Sequence, residues 1–232
     1  MIDKPIVICA NMQNERHNLE RWFSCVNDIR HAGVIIVDSG STDGTVEYAE
    51  SHNAVVIKDD IFKREGAAAA RNNLLELSRN LYPDSHWMLF LDGDEMFLPA
   101  DYHRLNFIRE YLIDAYDVVM FPRIDWLDDE MTESKNNIYA QPDPQGRMIR
   151  LDSSVFFVRK LHEVIHGAKR VFFDIQNPKI HHFNSAADDD RRIEIGKLYA
   201  KLHREDEEHG SEVPKHPKED YFFDLYLKEG LK

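Results

Sequence analysis

Through the first 121 residues, short apolar runs alternate with one-faced helical stripes, and that alternation leaves few folds open. Apolar runs occupy residues 6–10, 34–37, 54–57, 87–91 and 118–121, each of a length suited to a buried strand. Between them Leu19, Trp22, Phe23 and Val26 fall at i, i+3, i+4 and i+7. Ala67, Ala70, Leu74, Leu77 and Leu81 form a second stripe, and Leu105, Ile108, Leu112 and Ala115 a third. A short helix is expected at 45–51. Strands separated by helices at this interval imply right-handed crossovers, so the expected fold is α/β with a doubly wound, mainly parallel sheet. Pro122 is expected to end the fifth strand.

Beyond Pro122 the pattern changes. Residues 128–146, DDEMTESKNNIYAQPDPQG, are polar with two prolines and a glycine, and predict a long loop that could close over a ligand. Strand-like pieces follow at 148–151, 155–158, 171–173 and 179–183. Ile195, Leu198, Tyr199 and Leu202 then mark a helix that Asp188, Asp189 and Asp190 would start, because carboxylates suit the positive end of the helix dipole. The charged stretch 205–220 is expected to be a mobile tail.

A chain of 232 residues with 43% hydrophobic and 11% aromatic content can bury a full core as one domain. Its formal charge of −13 repels phosphate backbones and anionic lipid, which disfavours nucleic acid as a partner. Cys9 and Cys25 fall in an expected strand and an expected helix, and the chain has no N-x-S/T acceptor. No apolar stretch approaches signal-peptide or membrane-span length. The reading is a reducing, cytoplasmic chain with no transmembrane segment, peripheral to a membrane at most.

In an open parallel sheet, ligands bind beyond the carboxyl ends of the strands. Three polar clusters fall there: Ala10-Asn11 leading to Asn14-Glu15, then Asp38-Ser39-Gly40, then Asp92-Gly93-Asp94-Glu95. The sequence thus describes one crevice lined with acids. In DGDE, two carboxylates flank a glycine that would permit a tight turn, and such oxygen ligands suit Mg²⁺ or Mn²⁺ with phosphate completing the shell. The competing reading is an acidic turn capping the next helix. SGSTDGT does not make an EF-hand, since Ser39 takes the first ligand position and a strand precedes it. Neither a Walker loop nor a dinucleotide fingerprint is present there. Ser41 or Thr42 would cap the helix at 45–51.

IVICANMQNERHNLERWFSCV, VIIVDSGSTDGT, GAAAARNNLL and WMLFLDGDEMFLP, in that order over residues 5–99, resemble the family 2 glycosyltransferases of the GT-A fold. The similar variant carries N-E after the first strand, D-S/T-G-S-T-D after the second, A-R-N on a helix and D-x-D-E, and includes lipopolysaccharide-core sugar transferases. RLHEVIHG and KIHHFN are similar to the family's H-E element and the histidine beyond it.

The resemblance implies a nucleotide-sugar-binding half at 1–122, an acceptor and catalytic half at 123–187, and a C-terminal helical segment and tail at 188–232. It implies a metal-dependent, inverting transfer from a nucleoside diphosphate sugar, UDP-linked first among them, to a hydroxyl of a glycan, a lipid-linked glycan or a protein. Asp38 would read the uracil ring, with Ala10, Asn11 and Glu15 bordering the base and Ser39 beside the ribose. Asp92 and Gly93 would serve the ribose and diphosphate, and Asp92 and Asp94 the metal, with His182 or His181 as a nitrogen ligand. Arg71 would add positive charge there. Glu163 is the implied base, weighed against a plain salt bridge to Arg159 or Lys160. A nucleotidyltransferase would need a glycine-rich loop where NMQNERHN has none, and an inactive binding module would have no use for Asp38, Asp92, Asp94 and Glu163 together.

Overall fold

Each apolar run of the first half becomes a strand and each stripe a helix. The computed structural model describes residues 5–112, 115–135, 137, 143–183 and 189–208. In order come β1 (Ile6–Met12), α1 (Leu19–Asp28), β2 (Gly33–Asp38), α2 (Thr45–Ser51), β3 (Val55–Lys58), α3 (Ile61–Glu65), α4 (Ala67–Leu81) and β4 (Trp87–Phe90). After them come β5 (Glu95–Met96), α5 (Tyr102–Tyr111), β6 (Val118–Trp126), β7 (Pro144–Arg150), β8 (Phe156–Val158), β9 (Val164–His166), β10 (Val171–Phe173), β11 (Ile180–Phe183) and α6 (Asp189–Glu208).

The main sheet runs β3-β2-β1-β4-β7-β6-β11-β5, with β10 also paired to β6. β1 is parallel to β2 and β4, and β2 to β3. β7 is antiparallel to both β4 and β6. The sheet is therefore mainly parallel, as the strand–helix alternation implies, with β7 reversed at its centre and β5 reversed at its edge.

Alternation along β1 shows why both faces must be covered. Ile6, Ile8, Ala10 and Met12 pack with Trp22, Phe23 and Val26 of α1 and Leu105 and Ile108 of α5. Val7 and Cys9 point the other way, toward Leu74 and Leu75 of α4. A side chain such as Leu74, wholly buried, contributes about 1.5–3 kcal/mol by leaving water.

Several expectations are corrected. β6 does not end at Pro122 but continues to Trp126. Pro122 sits opposite Pro144, a pair with no N–H to lose, and from Arg123 onward β6 gains β11 as a parallel neighbour. The polar stretch 128–146 is not one loop: Pro144–Arg150 is a strand, and an isolated bridge joins Trp126 to Ser134. Residues 136 and 138–142 lie outside the described residues. α6 starts at Asp189 and runs to Glu208, so the expected charged tail begins as helix, and residues 209–232 lie outside the described residues. Neither Ser41 nor Thr42 caps α2, whose N-cap is Gly44.

Candidate active site

The carboxyl ends of β1, β2 and β4 lie side by side, since β1 is hydrogen-bonded to both others. The loops beyond β1 and β2 are laced together. Asn14 donates its backbone N–H to Ser41 Oγ (2.8 Å) and accepts from the Thr42 amide at Oδ1 (2.8 Å). Glu15 N–H reaches Thr45 Oγ1 at 2.9 Å, and Arg16 N–H reaches Asp43 Oδ2 at 3.0 Å. This engages the Ser41 hydroxyl, one of the two capping candidates, in a bond to another loop.

Asp38 is buried at the end of β2, and its Oδ2 accepts the amides of Gly40 and Ser41, both at 3.0 Å. Ser39 is also buried, and its carbonyl accepts Lys63 Nζ at 2.9 Å. Ala10 is fully buried in β1, while the buried Oδ1 of Asn11 has no partner among the described residues. An orphaned acceptor at a strand end is the kind of atom a ligand N–H satisfies. Gly93 answers to a different need from the one expected. It does not adopt a left-handed turn, and a Cβ there would lie 2.7 Å from Glu15 Cγ, so its bare α-carbon lets the β1 and β4 loops meet. Glu15 itself accepts Asn18 Nδ2 at 2.9 Å.

The acids of DGDE divide between two networks. Asp92 accepts Arg71 Nη1 on Oδ1 (3.2 Å), and Arg71 Nη2 (3.4 Å) and Arg147 Nη2 (3.0 Å) on Oδ2. Arg71 Nε donates to Glu163 Oε1 at 2.8 Å, so one guanidinium joins α4, the β4 loop and the H-E element. Burial opposes the charge on Asp92, yet Arg71 and Arg147 overcome it and hold the carboxyl below its usual range. The same contest, won by Arg71, keeps Glu163 ionised. Its partner is thus neither Arg159 nor Lys160.

Arg147, which falls between the expected loop at 128–146 and the expected strand at 148–151 with no role assigned, is buried on β7 and donates to Glu95 Oε1 at 2.6 Å. Burial alone would lower its pKa, but Glu95 and Asp92 raise it. Glu95 also takes the Asp92 amide on Oε2 (3.1 Å) and closes the turn; burial raises its pKa against the pull of Arg147. The available signal was the run of acids itself, which needs buried countercharge wherever it is desolvated.

In the second network, His182 Nε2 lies 3.2 Å from Asp94 Oδ2 and Nδ1 lies 2.7 Å from Asp125 Oδ1. β5 pairs antiparallel with β11, opposing His182 to Glu95, and Asp94 C=O accepts the Phe183 amide at 2.9 Å. Burial lowers the pKa of His182, but its bonds to Asp125 and Asp94 push it up to about 10. His181 is not the histidine beside Asp94. It accepts Trp126 Nε1 on Nδ1 (2.9 Å), stacks on that ring, and is lowered by burial to about 4.

The pair Asp94 and His182 fits a divalent cation. Adjacent ligands of an octahedral ion with bonds near 2.1 Å stand about 3 Å apart, close to the observed separation. Asp125 behind Nδ1 would fix the ring with Nε2 facing the metal. Among the described residues, no three His, Cys, Asp or Glu side chains form a complete cation site. Such an ion would therefore need further oxygens from a ligand.

Glu163, just ahead of β9, is positioned by other elements. Arg159 and His162 both adopt positive φ, 79° and 53°, which bends the chain before Glu163. The carbonyls of Lys160 and Arg159 accept the first amides of α4, from Ala67 (2.7 Å) and Ala68 (3.2 Å). A Cβ at Gly66, φ 93°, would meet Lys160 Cα at 2.6 Å. Asp206 of α6 accepts the amides of Lys160 (2.8 Å) and Leu161 (3.0 Å) from the other side.

The profile described as Glycosyl transferase family 2 matches residues 6–166. S. aureus TarS, residues 1–349, is similar in structure with a TM-score of 0.54 at 15% identity, covering 86% of this chain and 71% of that one. A longer S. aureus TarS structure gives 0.51 at 16% identity, over 84% of this chain and 39% of that one. A lower likeness, 0.39 at 19% identity over 53% and 44%, is to glucosyl-3-phosphoglycerate synthase from Mycobacterium tuberculosis, crystallised with Mn²⁺, UDP and glucosyl-3-phosphoglycerate. Curated protein sequences gave no match. With its motifs inside the matched span and its sheet shared with TarS, this chain belongs to glycosyl transferase family 2 and is a glycosyltransferase of the GT-A fold.

Proposed function

We propose that the protein is a metal-dependent, inverting glycosyltransferase that moves a sugar from a nucleoside diphosphate, UDP before GDP or CMP donors, to a hydroxyl of a glycan acceptor, free or carried on lipid or protein. One observation carries the reading: Asp92 and Asp94, two residues apart, gather Arg71 and Glu163 on one side and His182 and Asp125 on the other. In this reading residues 1–122 bind the donor, 123–187 supply the acceptor side and the base, and 188–232 are a C-terminal helical segment and tail.

Asp38, Asn11 and Glu15 border the base, and the free Oδ1 of Asn11 supports placing a ring N–H there. Ser39 lies beside the ribose, with Asp92 on the ribose and diphosphate, while Ala10 backs the base from within β1 and Gly93 lets Glu15 approach the same pocket. Asp94 and His182 would hold Mn²⁺ or Mg²⁺, and the imidazole nitrogen favours Mn²⁺. When bound, the cation neutralises charge gathering on the departing nucleoside diphosphate. Asp125 keeps the His182 ring oriented.

Glu163 is the base that takes the acceptor proton. Arg71 keeps it ionised and so ready to accept, at the expense of basicity. A weakened base suits a hydroxyl that becomes acidic only as its oxygen bonds to the anomeric carbon, so proton transfer accompanies bond formation. The buried thiols Cys9 and Cys25 fit a reducing, cytoplasmic setting. No helix among the described residues is long and apolar enough to cross a membrane.

Thermal unfolding with UDP, GDP and CMP, each with Mn²⁺, Mg²⁺ or EDTA, tests donor and metal together. UDP with Mn²⁺ should raise the midpoint most, by the equivalent of about 2.7 kcal/mol at a hundredfold excess over Kd. Equal shifts with and without EDTA would remove the metal from this account.

A further inference from the structure

α6 brings a side chain to the site that the motifs do not include. Asp206 fastens this helix to the amides of Lys160 and Leu161, immediately before His162 and Glu163. Leu202, four residues earlier on the same stripe, is fully buried, and Tyr199 is three residues earlier again. Positions i, i+3 and i+7 share one helix face, and seven residues span about 10 Å of axis. Tyr199 therefore stands on the face turned toward the Glu163 segment, about two turns from the anchor. Burial raises the pKa of its hydroxyl, and the charges of Asp92, Glu163 and Asp94 add to that against the opposing pull of Arg71. Yet 41% of the residue remains exposed, so it is an apolar ring with a polar tip at the open edge of an acid-lined crevice.

We propose that Tyr199 is an acceptor-positioning residue whose ring stacks against a neutral sugar, holding its hydroxyl toward Glu163. The inference rests on the donor and base assignments above and adds the acceptor's chemistry. A sugar offers apolar C–H faces for a ring and hydroxyls for carboxylates. A phosphorylated or carboxylated acceptor would bring negative charge to a cluster in which Asp92, Asp94, Glu95, Asp125 and Glu163 outnumber Arg71, Arg147 and His182, and like charge at this range is unfavourable.

The test uses the full chain with a UDP-sugar and Mn²⁺, and p-nitrophenyl glycosides as acceptors. Tyr199→Leu keeps an apolar side chain of similar burial and removes the stacking face; Tyr199→Phe keeps the face and removes the hydroxyl. The expected result is a rise of about tenfold in acceptor KM for Tyr199→Leu, with kcat and the Kd for UDP changed less than about threefold, and a near-normal acceptor KM for Tyr199→Phe. Unchanged acceptor KM in Tyr199→Leu would overturn the inference and leave the donor reading standing. Weaker UDP binding in Tyr199→Phe would also overturn it, by assigning the hydroxyl to the diphosphate. Absence of UDP binding by the unaltered chain would overturn the donor reading, and this inference with it.

Discussion

The donor-side half and the acceptor-side half hold their polar residues by different means. After β1 and β2 the loops are held by their own and each other's side chains: Asp38 binds the amides of Gly40 and Ser41 in its own loop, and Asn14 bonds Ser41 and Thr42 of the next. After β6, each site residue depends on a partner far away in the chain, Glu163 on Arg71 and His182 on Asp94 and Asp125. A site built this way gains precision from its neighbours, but the loss of one neighbour propagates.

Asp94→Ala gives the sharpest contrast. It removes a metal ligand and a partner of His182 together, and turnover should fall by more than about 10³-fold while the circular dichroism spectrum stays native. A variant retaining a tenth of normal kcat would place the cation elsewhere. Arg147→Met comes next, on stability rather than turnover. It strands the buried Glu95 without countercharge and leaves Asp92 with Arg71 alone, a loss of about 3–5 kcal/mol by urea unfolding. Loss below about 1 kcal/mol would mean that the second half does not support the first.

Glu163→Gln should lower kcat by about 10²–10⁴ and leave the Kd for UDP unaltered. Weakened UDP binding would move Glu163 from the acceptor side to the donor side and blur the division. Because Arg71 holds Glu163 ionised below the ordinary carboxylate range, the acid limb of kcat/KM should lie low in the parent chain. Asp125→Asn has the smallest expected effect, a loss of about 10–100-fold in Mn²⁺ affinity with kcat at saturating metal little changed.

The same contrast explains what the sequence disclosed. α2 and α4 match the expected spans, and the polar strand ends stand on one rim, because β1 through β4 follow one rule of alternation. Glu95–Met96 carries no strand signal, being two residues long, yet its pairing with β11 decides that His182 rather than His181 meets Asp94. Arg147 was hidden by the polar company of DPQG, and a charged residue beside a proline and a glycine reads as loop. Pro122 misled for a related reason: its strand changes partners where the ring removes an amide. These features depend on pairing across tens of residues, which local periodicity does not encode.

The reversed strand at the middle of the sheet also sets an order for biogenesis. On the ribosome, β1 to β4 emerge first and can pair in parallel, but β4 then shows a bare edge of Trp87, Met88, Leu89 and Phe90, all buried in the finished protein. That edge stays open until Arg150 has been translated, because β7, and not the earlier-made β6, is its neighbour. The nascent chain therefore carries a sticky ladder at the seam that will later unite its two halves, and chaperone occupancy should peak during that interval of synthesis.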